Sequence, residues 1–167
     1  HGNPCKVHKL HTYPSALDVT NKAAPGGMVG VVTLSQGLAS MAINIRAAVQ
    51  HRRAMVIHVA GVDVGEYFEL HSNTRTAYEL MDAGAGLVVS ANALDCYGAA
   101  IYSYMLAQQL QAPVIHLVDG PLALAARSSA ALSWDLVASM AESMHRAYVP
   151  SSRGGMQMDV GDFHAFA

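Results

Sequence analysis

Charge is what this sequence has least of. Asp, Glu, Lys and Arg together make up 13% of its 167 residues, where about a quarter is usual. The ten Lys and Arg are scattered, so no cationic patch exists to neutralise a phosphate backbone, and nucleic acid is not expected as a partner. Cysteine is as scarce. Cys5 and Cys96 are the only two; they show no metal-ligand spacing and cannot ligate a four-cysteine cluster. Cys96 is expected as a small core residue in a helix, and a disulfide to Cys5 has no support beyond the count. Apolar runs are all far shorter than the ~20 residues a spanning helix needs, so no membrane span is expected. Glutamate is missing from the whole first third of the chain, appearing first as Glu66.

What is abundant is apolar. Hydrophobic residues reach 52%, enough for one domain with a real core. With no membrane segment to absorb the excess, much of the surface is expected to be covered by other protein chains or domains of a larger assembly. The first residue is His rather than Met, which fits a processed chain or a portion of a longer one. No signal-peptide pattern is visible, so a cytosolic or organelle-matrix location is expected over secretion.

Residues 1–27 are polar and irregular, with prolines at 4, 14 and 25 and histidines at 1, 8 and 11. They read as a solvated arm, with no metal site expected in them. Residues 28–150 read as an α/β domain and 151–167 as a tail. Within the domain, an apolar run over 28–34 ends in Ser35-Gln36-Gly37, and Leu38, Met41, Ala42 and Ile45 then recur at helical spacing. That is a buried strand, a tight polar turn and a helix over about 37–51. A second strand is expected over 54–60, a loop and short helix over 62–83 closing at Gly84, and a third strand over 86–90. Asn92 caps a long helix with Asp95 three residues on. That helix stops before Pro113, which opens a fourth strand over 113–118. Helical stretches over 122–131 and 134–148 follow. Nearly all-apolar strands alternating with helices predict a three-layer, mostly parallel sheet with helices on both faces. In such sheets ligands bind beyond the carboxyl ends of the strands, which makes Ser35, Gln36 and Gly37 the first candidate binding residues.

Three other constellations carry possible chemistry. Ser35, Asp119 and then His145 or His164 stand in the chain order of a serine hydrolase, but the nucleophile elbow needs glycine where Thr33 stands. Gly26, Gly27 and Gly30 precede a strand instead of following one, so they punctuate rather than cradle a phosphate. His58 and His116 lie inside apolar strands, in VIHVA and VIHLV. Two such positions on separate strands can converge, although a neutral buried histidine with one hydrogen bond is the commoner reading. Asp119 lies at the carboxyl end of the fourth strand, beside Gly120-Pro121.

The order Thr33-Leu34-Ser35-Gln36-Gly37-Leu38, His58-Val59-Ala60, His71-Ser72, and Pro113-Val114-Ile115-His116 with Asp119-Gly120 resembles the N-terminal, pyrimidine-binding domain of pyruvate:ferredoxin oxidoreductase. The likeness covers about Val29 to Gly120 and extends to the related domain of some sulfite reductase flavoprotein subunits. It implies a thiamine diphosphate enzyme oxidising a 2-oxoacid and passing electrons to iron–sulfur clusters or flavin. This domain would hold the aminopyrimidine through Ser35-Gln36-Gly37, and a separate domain the diphosphate with Mg²⁺. The family also carries a glutamate upstream of S-Q-G that activates the cofactor, and an arginine just after H-V-A-A that holds the substrate carboxylate. This chain has no glutamate before Glu66, and Gly61-Val62-Asp63 where the arginine belongs. An anion there repels a 2-oxoacid, by several kcal/mol if desolvated. The expectation is a catalytically degenerate scaffold with no catalytic residues of its own and a structural or interaction role in a larger redox assembly. Thiamine diphosphate and Mg²⁺ would bind only if another domain completed the site. The alternatives are a fragment of an active 2-oxoacid oxidoreductase or sulfite reductase flavoprotein subunit, and a hydrolase using Ser35.

Overall fold

The computed structural model describes residues 29–67, 69–90 and 92–120, and beyond them residues 133, 135–139, 142, 148–150 and 156–158. The elements, in chain order, are β1 (Val29–Leu34), α1 (Ser35–Gln50), β2 (Met55–Val64), β3 (Leu70–Ser72), α2 (Arg75–Asp82), β4 (Gly86–Ser90), α3 (Ala93–Leu110), β5 (Pro113–Asp119), β6 (Tyr148–Pro150) and β7 (Met156–Met158). The arm, the helix expected over 122–131, and His145 and His164 lie outside the described residues.

The four apolar segments lie side by side in the order β1-β2-β5-β4, and each neighbouring pair is parallel. α1 and α2 cover one face. Leu38, Met41, Ile45 and Ala48 of α1, with Ala77 and Leu80 of α2, pack on Met55, Ile57, Val59, Ile115 and Leu117. α3 covers the other, where Leu106 and Ala107 meet Val56 and Val114. Alternation along β2 and β5 thus splits their side chains between two cores. This is the expected three-layer α/β architecture.

Four local expectations need correction. Ser35-Gln36-Gly37 is not a turn but the first turn of α1. Leu34, extended at φ −100° and ψ 171°, makes the whole change of direction from strand to helix. β2 does not end at Ala60. It runs four residues further because Val62, Asp63 and Val64 pair antiparallel with Ser72, His71 and Leu70, turning the expected loop into a hairpin that leans off the end of the parallel sheet. Cys96 is partly exposed, and its thiol donates to the Asn92 carbonyl at 3.2 Å. Tyr148, expected to end a helix, belongs to β6, which pairs antiparallel with β7.

Other local signals hold. Asn92 Oδ1 accepts from the Asp95 N–H at 3.0 Å, and Asn92 Nδ2 donates to the Asp95 carboxylate, a reciprocal cap at the start of α3. α2 closes at Gly84, whose φ of +101° suits glycine. No helix among the described residues is long and apolar enough to cross a membrane.

Candidate functional site

Two polar constellations stand out, one at the carboxyl edge of the sheet and one within it. The edge site is built where β1, β2 and β5 end. Ser35 opens α1 and is buried. Its hydroxyl donates to the Asn73 carbonyl at 2.7 Å, so it ties α1 to the segment that follows β3. Asn73 in turn donates through Nδ2 to Asp63 Oδ2 and accepts the Arg75 N–H at 3.1 Å, opening α2. Gln36 is exposed and Gly37 buried. α1 begins with no side-chain cap and no acidic residue in its first turn. Beside this lies Asp119, which pairs across the ladder with Gly61. Asp63 Oδ1 and Asp119 Oδ1 are both buried without a hydrogen-bond partner.

Among the described residues this edge thus shows acceptors and no cation. Among the described residues the nearest basic side chain in sequence, Arg75, pairs with Glu79 at 2.7 Å on the surface of α2, and His71 pairs with Glu69 at 3.1 Å. Val62, two residues beyond Ala60, is buried. The end of β5 presses on it: a Cβ at Gly120 would lie 2.5 Å from Val62 Cβ and 2.9 Å from the Gly61 carbonyl carbon. No group of three or more His, Cys, Asp or Glu side chains among the described residues converges as a metal site.

The second constellation joins His58 and His116, which the sequence left on separate strands. They are direct partners in the β2–β5 register, on the α3 face. Their Nδ1 atoms are 2.9 Å apart, with ring planes at 81°. His116 Nε2 is 2.6 Å from Ser90 Oγ, and His58 Nε2 is 3.2 Å from Tyr104 Oη. The result is a polar belt, Ser90–His116–His58–Tyr104, crossing β4, β5 and β2 and ending over β1. There Gly30 leaves room for Tyr104, whose Oη lies 2.2 Å from where a Cβ would be. Burial lowers the His58 pKa below its usual value, and burial plus the neighbouring His58 lowers that of His116 to about 4. Both rings are therefore neutral at pH 7, and one Nδ1 donates while the other accepts.

Sequence reasoning placed His58, His116, Ser35 and Asp119 and missed Ser90, Asn73 and Tyr104. Ser90, the one polar residue of GLVVS, carried a readable signal; Asn73 and Tyr104 carried none that separated them from neighbouring polar and aromatic positions.

The family model for pyruvate flavodoxin/ferredoxin oxidoreductase, thiamine diphosphate-binding, matches residues 15–163. The chain belongs to that family. The match spans nearly the whole chain and agrees with the fold, that of the pyrimidine-binding domain of pyruvate:ferredoxin oxidoreductase-like proteins. Comparison with curated proteins gives no match. Ser35-Gln36-Gly37 forms the uncapped start of α1 within the matched span, and His58 and His116 lie in β2 and β5 beside it.

Proposed function

We propose that this domain is a catalytically degenerate member of the family, retained as a scaffold within a larger redox assembly, and that it does not bind thiamine diphosphate by itself. The observation that carries this reading is the end of β2. Where the resemblance requires a cation for the carboxylate of a 2-oxoacid, the chain has Val62, buried beneath Gly120, and then Asp63, held by Asn73. An apolar side chain packed into the fold and a carboxylate beside it give an anionic substrate no attraction and some repulsion.

The described residues fit the cofactor only in part. Asp63 Oδ1 and Asp119 Oδ1 are unpartnered acceptors and suit the amine of an aminopyrimidine. Among the described residues no basic side chain stands beside them for an anionic diphosphate. When bound, thiamine diphosphate supplies an electron sink for decarboxylating chemistry; here Ser35, Gln36 and Gly37 would line its pyrimidine side only once another domain held the rest. Those two acceptor oxygens also favour the second reading, a piece of a working 2-oxoacid or sulfite-reducing enzyme completed by other chains.

As for a hydrolase, the Ser35 hydroxyl is buried and already donates to a backbone carbonyl, which favours a structural role for it. The low charge content of the chain supports partners over a solitary domain. Calorimetric titration of the full chain with thiamine diphosphate and Mg²⁺ tests the proposal. No detectable heat is expected, and micromolar affinity overturns the degenerate reading.

A further inference from the structure

The belt Ser90–His116–His58–Tyr104 has no part in the proposed function and stands on a different face of the sheet from the edge site. Its four groups come from three strands and a helix; His58 and His116 are register partners, and Ser90 lies two residues further along, opposite Val118. Ser90 is the last residue of β4, and α3 begins three residues later under the Asn92 cap. The belt therefore holds the junction between β4 and α3 at one end and the middle of α3, through Tyr104, at the other. Ser90 is fully buried and His116 nearly so, so the Ser90–His116 bond closes only when the junction is seated.

The closed belt accommodates neutral rings. With one ring donating through Nδ1 and the other accepting, the bonds run in a single direction from hydroxyl to hydroxyl, and every ring nitrogen is satisfied. An added proton makes both Nε2 atoms donors. The hydroxyl that had been donating must then turn round inside a site where the described residues offer no charge to favour the cation. On this face β1, β2, β4 and β5 present no further titratable side chain among the described residues. α3 brings Tyr104, Tyr102, whose phenol burial pushes up and keeps neutral, and near its start Asp95, Cys96 and Tyr97. Asp95 is exposed and engaged with Asn92.

We propose that the belt is an acid-opened latch on the β4–α3 junction: the neutral imidazole pair holds Ser90 and Tyr104 in place, and a proton taken up by the pair in the opened state keeps the junction apart. The sign follows from the closed state's resistance to protonation. Opening binds a proton, so the opened fraction rises as pH falls below about 6.5, by up to about tenfold per pH unit, because burial lowers the pKa of both rings in the closed state. The latch does not depend on whether the domain binds thiamine diphosphate.

Native-state hydrogen exchange on the full chain, followed by NMR and corrected for intrinsic exchange, tests it. Amides of Cys96 and the following turn of α3 are expected to open more readily than those of β2 and β5 at every pH, and to show the acid slope. Replacing both rings, His58→Gln with His116→Gln, is expected to abolish that slope. If the double variant does not fold, Ser90→Ala and Tyr104→Phe serve instead; each should raise opening at neutral pH while keeping the slope. The proposal is overturned if the α3 amides exchange only together with the β2 and β5 core, if their opening is independent of pH, or if the slope survives loss of both histidines.

Discussion

Replacing Gly120 by alanine tests how tightly the end of β5 is seated on β2, and with it the edge on which Asp119 lies. The added Cβ would meet Val62 Cβ at 2.5 Å, the Gly61 carbonyl carbon at 2.9 Å and the Gly61 oxygen at 3.0 Å, where ordinary contact begins at 3.4 Å. Two of these atoms are backbone in the middle of a paired strand, and the third is fixed to it. None can swing aside as the end of a side chain can. Overpacking of this kind costs about 3 kcal/mol, offset by up to about 1 kcal/mol from the smaller conformational freedom of alanine in the unfolded chain. A net loss of about 2 kcal/mol is expected, which lowers the urea midpoint by about 1 M for a typical slope of about 2 kcal/mol per M. Gly65 provides the control. A Cβ there first meets His71 Nε2 at 2.9 Å, the tip of an exposed side chain that can move, so Gly65→Ala should change the midpoint little. Equal midpoints for the two variants would refute the reasoning, because they would show that the β5 end yields as freely as a surface hairpin.

Three further outcomes follow from the same geometry. Gly30→Ala should destabilise by about 1–2 kcal/mol by displacing Tyr104 Oη from its bond to His58, and in a double-mutant cycle Tyr104→Phe should recover part of that loss; strict additivity would remove Tyr104 as the cause. Ser35→Ala should cost about 1–2 kcal/mol in denaturant unfolding by leaving the Asn73 carbonyl without its donor, and a fluorophosphonate probe should leave Ser35 unlabelled, whereas labelling would restore the hydrolase reading. Arg52, just past the end of α1, has a φ of 51°, so Arg52→Gly should stabilise the fold by up to about 1 kcal/mol, checked by thermal unfolding.

Much of the architecture was legible because apolar alternation and run length are local. VGVVTL, MVIHVA, GLVVS and PVIHLV announce strands, although β1 and β4 lie at the sheet edges and leave Val32 and Val89 exposed instead of buried; Asn92 with Asp95 announces a helix start, and Gly84 a helix end. The motifs around Ser35, His58 and Asp119 were enough to find the family. The errors also have local causes. Past Ala60 the pattern reads as turn because Gly61 and Asp63 disfavour strand, yet pairing with β3 and burial of Val62 outweigh that preference. Ser35-Gln36-Gly37 reads as a turn because serine and glycine usually make one, and the helix forms anyway because Ser35 finds its acceptor on Asn73, 38 residues away.

By itself, then, the sequence determined the layers and the direction of the strands, which depend on periodicity along the chain. Only the tertiary structure decided that His58 and His116 are one unit, that Ser90 and Tyr104 complete it, and that Asp63 and Asp119 each keep an oxygen without a partner. Those facts depend on the register between strands 58 residues apart, and register is a property of the packed sheet that no single stretch of chain contains.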